Sequence, residues 1–499
     1  MRFSGESLSC GPMGVLPLSL DQTCIHMVGV KGTGMAALAE LLSSQGAMIT
    51  GSDVPDVFYT DEILKAAGVT VLPGFSAEHL PDSAQAVIYS VAYSPKTNVE
   101  LLAAQSRGIP IASYNEALGE FSSRLPSVGI AGVHGKTTTT MMIAAIVAHL
   151  GLPGSVLAGG ATLGGDRRAT VSTGDRFFVA ETCEYRRSFL SFRPRLMVIT
   201  SVEADHLDYY RDAHDVEHAF LEYARLLPVD GELIYCADDQ GASRVAARIA
   251  SERPELTISS YGFSAAGEGR ISGRRQEAGA SRFRLADDEL VLHVPGAHSV
   301  LNATAAILVC RRLAAWSDVE SDTERFSQGV RAALDRFSGS RRRSEIIGVV
   351  DDIVVVDDYA HHPTAIRATL EGFRSFYSGR RIVLDFMSHT YSRTLALRDQ
   401  FGEALALADI VILHDIYASA REENPGGIDG TVLVAATREA LKRRDAAGEV
   451  YYVPNLDEGA PLVAGIVRRG DLFVTMGAGD NWRVGQALLS HLKHSGVTQ

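Results

Sequence analysis

The sequence predicts an α/β protein of three domains, each a mainly parallel sheet covered by helices, and three observations carry that reading. Strand-like runs alternate with helix-like runs in three successive blocks, the pattern of parallel sheets joined by helical crossovers. The 499 residues exceed what one hydrophobic core usually serves. A glycine turn follows the opening strand of both the first and the second block, the place where such folds meet phosphates.

Residues 1–22 contain Gly, Pro and Ser but no basic start followed by an apolar stretch, so they read as a loose N-terminal extension and not as a signal peptide. The first domain, 23–122, opens with a strand at 25–28, a glycine turn and a helix over 35–44. The second, 123–337, opens with a strand at 128 and continues with strands at 177–180, 196–200 and 233–235. Within it, residues 265–294 turn polar and β-like, which predicts a small antiparallel excursion, and helices over 300–313 and up to 337 complete it. The third, 338–499, has strands at 353–357, 382–386, 410–413 and 472–475 with helices interleaved. At 46% hydrophobic residues the chain is globular, and its net charge of -13 would repel nucleic acids and acidic membrane surfaces. No apolar run approaches the roughly 20 residues of a membrane span. Five cysteines without C-x-x-C spacing fit reduced thiols in a cytoplasmic protein.

The most informative segment is VGIAGVHGKTTTT, residues 128–140. Gly132 and Gly135 lack a Cβ, so backbone N–H groups can converge on phosphate oxygens at the positive end of the following helix. Lys136 adds a point charge, and Thr137 offers a hydroxyl to Mg²⁺. The loop is shorter than the strict G-x-x-x-x-G-K-[ST] pattern. In the first domain GVKGTG, Gly29 to Gly34, followed by Asp53 after a second strand, superficially matches a dinucleotide fingerprint. Lys31 stands where the middle glycine should be. It either meets the diphosphate of a nucleotide sugar or is a surface lysine on a structural turn.

Glu181 follows a strand that neighbours the phosphate grip and is placed to hold Mg²⁺. His206 either joins that metal or bonds to Asp205 or Asp208. His298 and Asn302 stand at the entrance to a helix, where Asn302 reads a base edge or caps backbone groups. Arg341, Arg342 and Arg343 occupy a hinge and form a solvated face or reach a phosphate. DDYAHHP (357–363) and FMSHTYSRT (386–394) each follow a strand directly. Two histidine-bearing turns on adjacent strand ends suggest a site, the alternative being helix capping by Asp358 and by Ser388 or Thr390.

With these residues in order, the chain resembles the Mur ligases, the ATP-dependent amide-forming enzymes of peptidoglycan synthesis. The resemblance rests on GVKGTGM, GVHGKTTT, ETCEYRRSFL, VEADHLDYY, GAHSVLN, the hinge arginines, DDYAHHP and HTYSRT, and covers nearly everything after residue 23. DIYASARE, 415–422, looks like the alanine-adding branch. Ser299 stands where asparagine is usual, and Met387-Ser388 replace the usual Gln-Pro. The resemblance implies a Rossmann-like N-terminal domain for the sugar nucleotide, a central P-loop-type ATPase domain and a Rossmann-like C-terminal domain that closes over ATP.

It also implies ATP and Mg²⁺ as cofactors, UDP-N-acetylmuramate and L-alanine as substrates, and reaction through an acyl phosphate. Gly132, Val133, His134, Gly135, Lys136, Thr137 and Thr138 would hold the ATP phosphates. His298 and Asn302 would face adenine, with Arg343 beside the nucleotide. Thr137, Glu181 and His206 would bind metal. Gly29, Lys31, Gly32, Thr33 and Gly34 would cradle the UDP-sugar diphosphate, near Asp53 and Ser90. Tyr359, His361, His389 and Arg393 would shape the amino-acid pocket, with His361 a candidate base or orienter. Lys136, Glu181, His206, His361, His389 and Arg393 would thus be the catalytic set. No lysine occurs between Lys136 and Lys442, so the carbamylated lysine that several sibling ligases use has no counterpart. Competing readings are a related ligase that attaches a recovered peptide to the same sugar nucleotide, a nicotinamide oxidoreductase using GVKGTG, and a non-enzymatic ATP switch.

Overall fold

The structure is a computed structural model that describes residues 14–159, 169–317, 323–418, 424 and 426–495. The second half of DIYASARE and residues 1–13 of the expected extension lie outside the described residues. From Gly14 onward that extension is not loose. The Val15 and Leu16 amides donate to the Glu120 carboxylate at 2.8 and 3.1 Å, Arg124 donates to the Leu16 and Pro17 carbonyls at 2.6 and 2.8 Å, and Leu16 and Leu20 are buried. Two small apolar anchors and a charged clamp outweigh the local Gly/Pro composition.

In the first domain β1 (Cys24–Val28), β2 (Met48–Asp53), β3 (Thr70–Pro73), β4 (Ala86–Tyr89) and β5 (Ile111–Ser113) form a parallel sheet in the order β3-β2-β1-β4-β5. The order reverses beside β1, which leaves a crevice at the strand ends where the glycine turn sits. The central domain contains β6 (Ser127–Ala131), β7 (Ser155–Leu157), β8 (Thr170–Ser172), β9 (Phe178–Glu181), β10 (Leu196–Ile199), β11 (Glu232–Cys236) and β12 (Thr257–Tyr261). Their order is β12-β11-β10-β6-β9-β7-β8, parallel except for β8. β6 is buried throughout and lies between β9 and β10, so Glu181 and the VEADH turn emerge on either side of the phosphate grip. The expected antiparallel excursion is the three-stranded sheet β13 (Ile271–Glu277), β14 (Ala280–Leu285) and β15 (Asp288–Leu292).

The third domain has β16 (Glu345–Val350), β17 (Ile353–Asp358), β18 (Ile382–Met387), β19 (Ile410–Leu413), β20 (Glu449–Tyr452) and β21 (Leu472–Gly477), in the order β16-β17-β21-β18-β19-β20 with only β16 antiparallel. β17, β18 and β21 are buried along their whole length, as parallel strands covered on both faces must be. The two histidine-bearing turns are therefore not on adjacent strands: β21 separates β17 from β18. Among the described residues no helix is long and apolar enough to cross a membrane, and the four cysteines there are free.

A buried polar knot ties this third sheet together. His414 donates from Nδ1 to the Val453 carbonyl (2.7 Å) and faces the Asp385 carboxylate from Nε2 (2.8 Å), while Asn481 donates to Asp385 Oδ1 at 3.1 Å. Both ring nitrogens face acceptors, so the imidazolium is the form that satisfies them. Burial opposes the charge, but Asp385 and the Val453 carbonyl outweigh it and raise the pKa above the ordinary 6.5. A raised folded pKa means stabilisation that is complete below 6.5 and lost as pH rises through the folded value. The melting temperature is accordingly expected to fall by a few degrees from pH 6 to pH 9 in the parent chain. In His414→Asn that fall should be smaller, as read by scanning calorimetry on both.

Candidate active site

The phosphate grip forms because β6 is followed by two positions that only glycine fills. Gly132 has φ +140°, and a Cβ there would lie 1.9 Å from Thr200 Oγ1; Gly135 has φ +83°, and its Cβ would lie 2.5 Å from Asn302 Oδ1. The turn then feeds the helix Lys136–Leu150. Lys136 Nζ lies 2.7 Å from Glu184 Oε2 and also bonds the Gly132 carbonyl. Burial disfavours its charge, but Glu184 dominates and the pKa is raised, so the ammonium persists. Thr137 Oγ1 donates to Glu181 Oε2 at 2.8 Å. A hydroxyl and a carboxylate on facing elements are the hard oxygen donors that Mg²⁺ takes alongside water and phosphate.

Two cavities open from this turn. One, of about 300 Å³, is lined by Val133 to Thr138, His298, Asn302, Arg343 and Asp358 among others. The other, of about 340 Å³, is lined by Glu184, Asp205, His206, Tyr359, His389 and Arg393 among others. Val133, Lys136, Arg343 and His361 line both. In the first cavity the buried His298 Nδ1 has no hydrogen-bond partner, and burial lowers the pKa of this imidazole. An unpaired buried nitrogen beside a glycine cradle suits a nucleotide base with complementary edges. Asn302 does not cap its helix, whose N-cap is Gly296; it lies in the second turn and presses on Gly135.

In the second cavity His206 holds φ +52°, a left-handed backbone uncommon outside glycine. Its Nε2 lies 3.3 Å from Glu184 Oε1 and 4.0 Å from Asp205 Oδ2, and its ring is 4.7 Å from that of Tyr185. Asp208 instead accepts from Tyr185, so the nearest acid to His206 is neither of the two expected. Asp205 is bound by Arg393 Nε and Nη2 at 3.1 and 2.6 Å across the boundary between the second and third domains. Arg393 Nη1 reaches His389 Nδ1 at 3.3 Å, so the guanidinium supplies fixed positive charge to the wall instead of an open fork. His361 Nδ1 lies 2.9 Å from the Tyr359 carbonyl. Burial, and then Arg393, push its pKa well below the ordinary range, which leaves a neutral ring with its lone pair on Nε2. The helix-capping alternative fails for Asp358 and Thr390: His362 caps Pro363–Phe376, and Thr390 makes no side-chain cap.

The hinge arginines are not a solvated face. Arg341 stacks over Tyr59 of the first domain at 4.5 Å, Arg342 binds Asp357 at 3.0 Å, and Arg343 stands over Tyr359 at 5.0 Å. Asp357 is raised to about 6, burial outweighing Arg342. Sequence reading missed Glu184, and it missed Glu203, which bonds His134 of the grip and accepts from Thr364 of the third domain at 2.9 Å. Both acids stand inside quoted motifs, ETCEYRRSFL and VEADHLDYY, and that was the available signal.

The first-domain turn is built but separate. Gly29 has φ +78° and packs against Tyr93, and Gly34 packs against Tyr114. Asp53 is buried and accepts from the Lys31 and Val54 amides (2.7 and 2.8 Å) and from Tyr93, so it braces the turn. Lys31 Nζ donates to the Asp56 carbonyl at 2.7 Å and pairs with Asp61. Thr33 bonds Tyr59 at 2.9 Å, and the Ser90 amide donates to Val28 at 2.9 Å. Gly32 and these residues line neither of the two cavities above; the Arg341–Tyr59–Thr33 contact is what joins them to the hinge.

Comparison with known proteins agrees with this architecture. The description "Mur ligase family, catalytic domain" matches residues 24–125, "Mur ligase middle domain" matches 130–310, and "Mur ligase, glutamate ligase domain" matches 342–479. The chain is 48% identical over 482 residues to UDP-N-acetylmuramate--L-alanine ligase of Treponema pallidum (strain Nichols), covering 96% of this chain and 99% of that one. It is 37% identical over 465 residues to the protein of the same name from Borrelia garinii subsp. bavariensis, covering 92% and 97%. The crystal structure of UDP-N-acetylmuramate-alanine ligase MurC from Thermotoga maritima is similar with a TM-score of 0.74 at 25% identity, covering 95% and 100%. Matches across all three domains and a nearly full-length relative at 48% identity show that this chain belongs to the Mur ligase family, the ATP-dependent acid–amino-acid ligases.

Proposed function

We propose that this ligase joins the amine of L-alanine to the lactyl carboxylate of UDP-N-acetylmuramate, using ATP, in the cytoplasmic assembly of peptidoglycan precursors. The observation that carries the reading is the meeting of the two cavities at Lys136, Arg343 and His361. A phosphoryl group held in one can be reached by a carboxylate and an amine held in the other. The relatives' names supply the substrates.

The carboxylate attacks the γ-phosphorus, giving an acyl phosphate and ADP; the amine then attacks the acyl carbon, and phosphate leaves. The first step brings anions together, and Lys136 with the helix N-terminus neutralises the charge that spreads over the phosphoryl oxygens. Mg²⁺, held by Thr137, Glu181 and His206, would add to that neutralisation. In the second step the amine must attack in its neutral form, and His361, with its pKa depressed and a lone pair on Nε2, suits the role of orienting that amine through a hydrogen bond it accepts. Arg393 and His389 line the side where the alanine carboxylate would rest. Gly29 to Gly34 and Ser90 would take the UDP diphosphate.

Phosphate release with UDP-N-acetylmuramate, ATP and Mg²⁺ tests the assignment when L-alanine, L-serine, glycine or the peptidoglycan tripeptide is supplied in turn. Release that depends on L-alanine is expected. Release with the tripeptide and none with L-alanine would transfer the chain to the peptide-recovery branch.

A further inference from the structure

Glu184 is the most connected acid of the site and belongs to none of the roles above. It is 2% exposed; one carboxylate oxygen lies 2.7 Å from Lys136 Nζ and the other 3.3 Å from His206 Nε2, while its own carbonyl accepts from Tyr210. A carboxylate in contact with an ammonium is ionised, and a negative charge 3.3 Å from a ring nitrogen favours the hydrogen on that nitrogen. That geometry favours Nε2–H toward Glu184 and leaves Nδ1 as the nitrogen free to ligate. The left-handed backbone of His206 and the Tyr185 ring against its imidazole fix the side chain further.

We propose that Glu184 is a positioning residue that orients His206 so that Nδ1 is the nitrogen presented to a divalent cation, and that holds Lys136 on the cavity floor until phosphate oxygens draw its ammonium away. The proposal rests on the reading of His206 as a metal ligand. Carboxylates behind ligating histidines typically change metal affinity by about 10–100-fold when removed.

The test uses the full chain, with Mn²⁺ as the probe in the presence of ADP. Glu184→Gln keeps the shape but can no longer be an ionised acceptor for both partners. It is expected to weaken Mn²⁺, counted by the electron-spin resonance of the free ion, by about 10–100-fold. kcat should fall by a similar factor while KM for alanine stays within about twofold. In ¹⁵N-histidine-labelled protein the His206 Nδ1 resonance, identified with His206→Asn, should leave the unprotonated position it holds in the parent. Glu184→Asp, which keeps the charge but draws it back, should fall between the two. Parent-like Mn²⁺ affinity and an unmoved Nδ1 resonance in whichever variants fold would overturn the proposal. Failure of the underlying reading looks different: His206→Asn would then bind Mn²⁺ as the parent does.

Discussion

Lys136→Met is expected to lower the rate of phosphate release about a thousandfold. The ammonium is the one lysine charge at the junction of the two cavities, and the phosphoryl oxygens gain negative charge there during transfer. Removing a preorganised cation from a phosphoryl-transfer site commonly costs about 10³–10⁵ in rate. A second effect runs in parallel. Glu184, buried and ionised beside Lys136, loses its counter-charge, and breaking a buried pair from one side destabilises by about 3–5 kcal/mol. The central domain should therefore melt earlier, so rates are compared at a temperature where circular dichroism shows both proteins folded. Lys136→Arg separates the two effects: it restores a charge for Glu184 and hence most of the stability, but a planar fork does not replace a compact ammonium within a turn this tight. A Met variant within tenfold of the parent rate would remove Lys136 from the chemistry.

The contrast between Lys136 and Glu184 also shows what the sequence made legible. Gly132, Gly135, Lys136 and Thr137 are contiguous, and their chemistry depends on that contiguity, so the grip could be read directly. β17, β18, β19 and β21 were equally readable, because buried parallel strands are unbroken apolar runs. The three-residue strand β7 and the edge strands β8, β16 and β20 escaped, since short or half-exposed strands leave neither a run nor a clean alternation. Partners brought together by the fold escaped as well. Glu184 lies 48 residues from Lys136, and Arg393 lies 188 residues from Asp205. In the first domain His26, Ser52 and His79 converge on the fully buried Glu100, an arrangement with no local signature at all. Asp53 shows the same limit from the other side: the motif marks it as a ligand position, but not that it also braces its own turn.

Asp205→Ala is expected to hold the third domain away from the second and to lower kcat/KM by roughly a hundredfold. In this structure the contacts between the two domains include the buried Asp205–Arg393 pair, Thr364–Glu203, the Gly279 amide donating to the Phe376 carbonyl, and Gly372 packed on Gly296 so closely that a Cβ would lie 2.8 Å from Gly296 Cα. Only the first of these confines a full positive charge. With Asp205 gone, closing the domain would bury Arg393 uncompensated, at a cost of about 3 kcal/mol, and the open arrangement returns that charge to water. The penalty thus falls on closure, not on the folding of either domain, and melting temperatures should hardly move. Closure is also expected to be insensitive to moderate acid. Burial pushes the Asp205 carboxyl up, but Arg393 dominates and holds it well below the ordinary 3.8; a depressed folded pKa keeps the pair intact as pH falls, until that lower value is crossed. Small-angle scattering with a non-hydrolysable ATP analogue and UDP-N-acetylmuramate reads the effect directly. The parent should compact on adding both ligands at pH 8 and at pH 5 alike, and Asp205→Ala should compact at neither. If the variant compacts as the parent does, the pair is a bystander, and the shape of the Gly296–Gly372 contact becomes the determinant of closure.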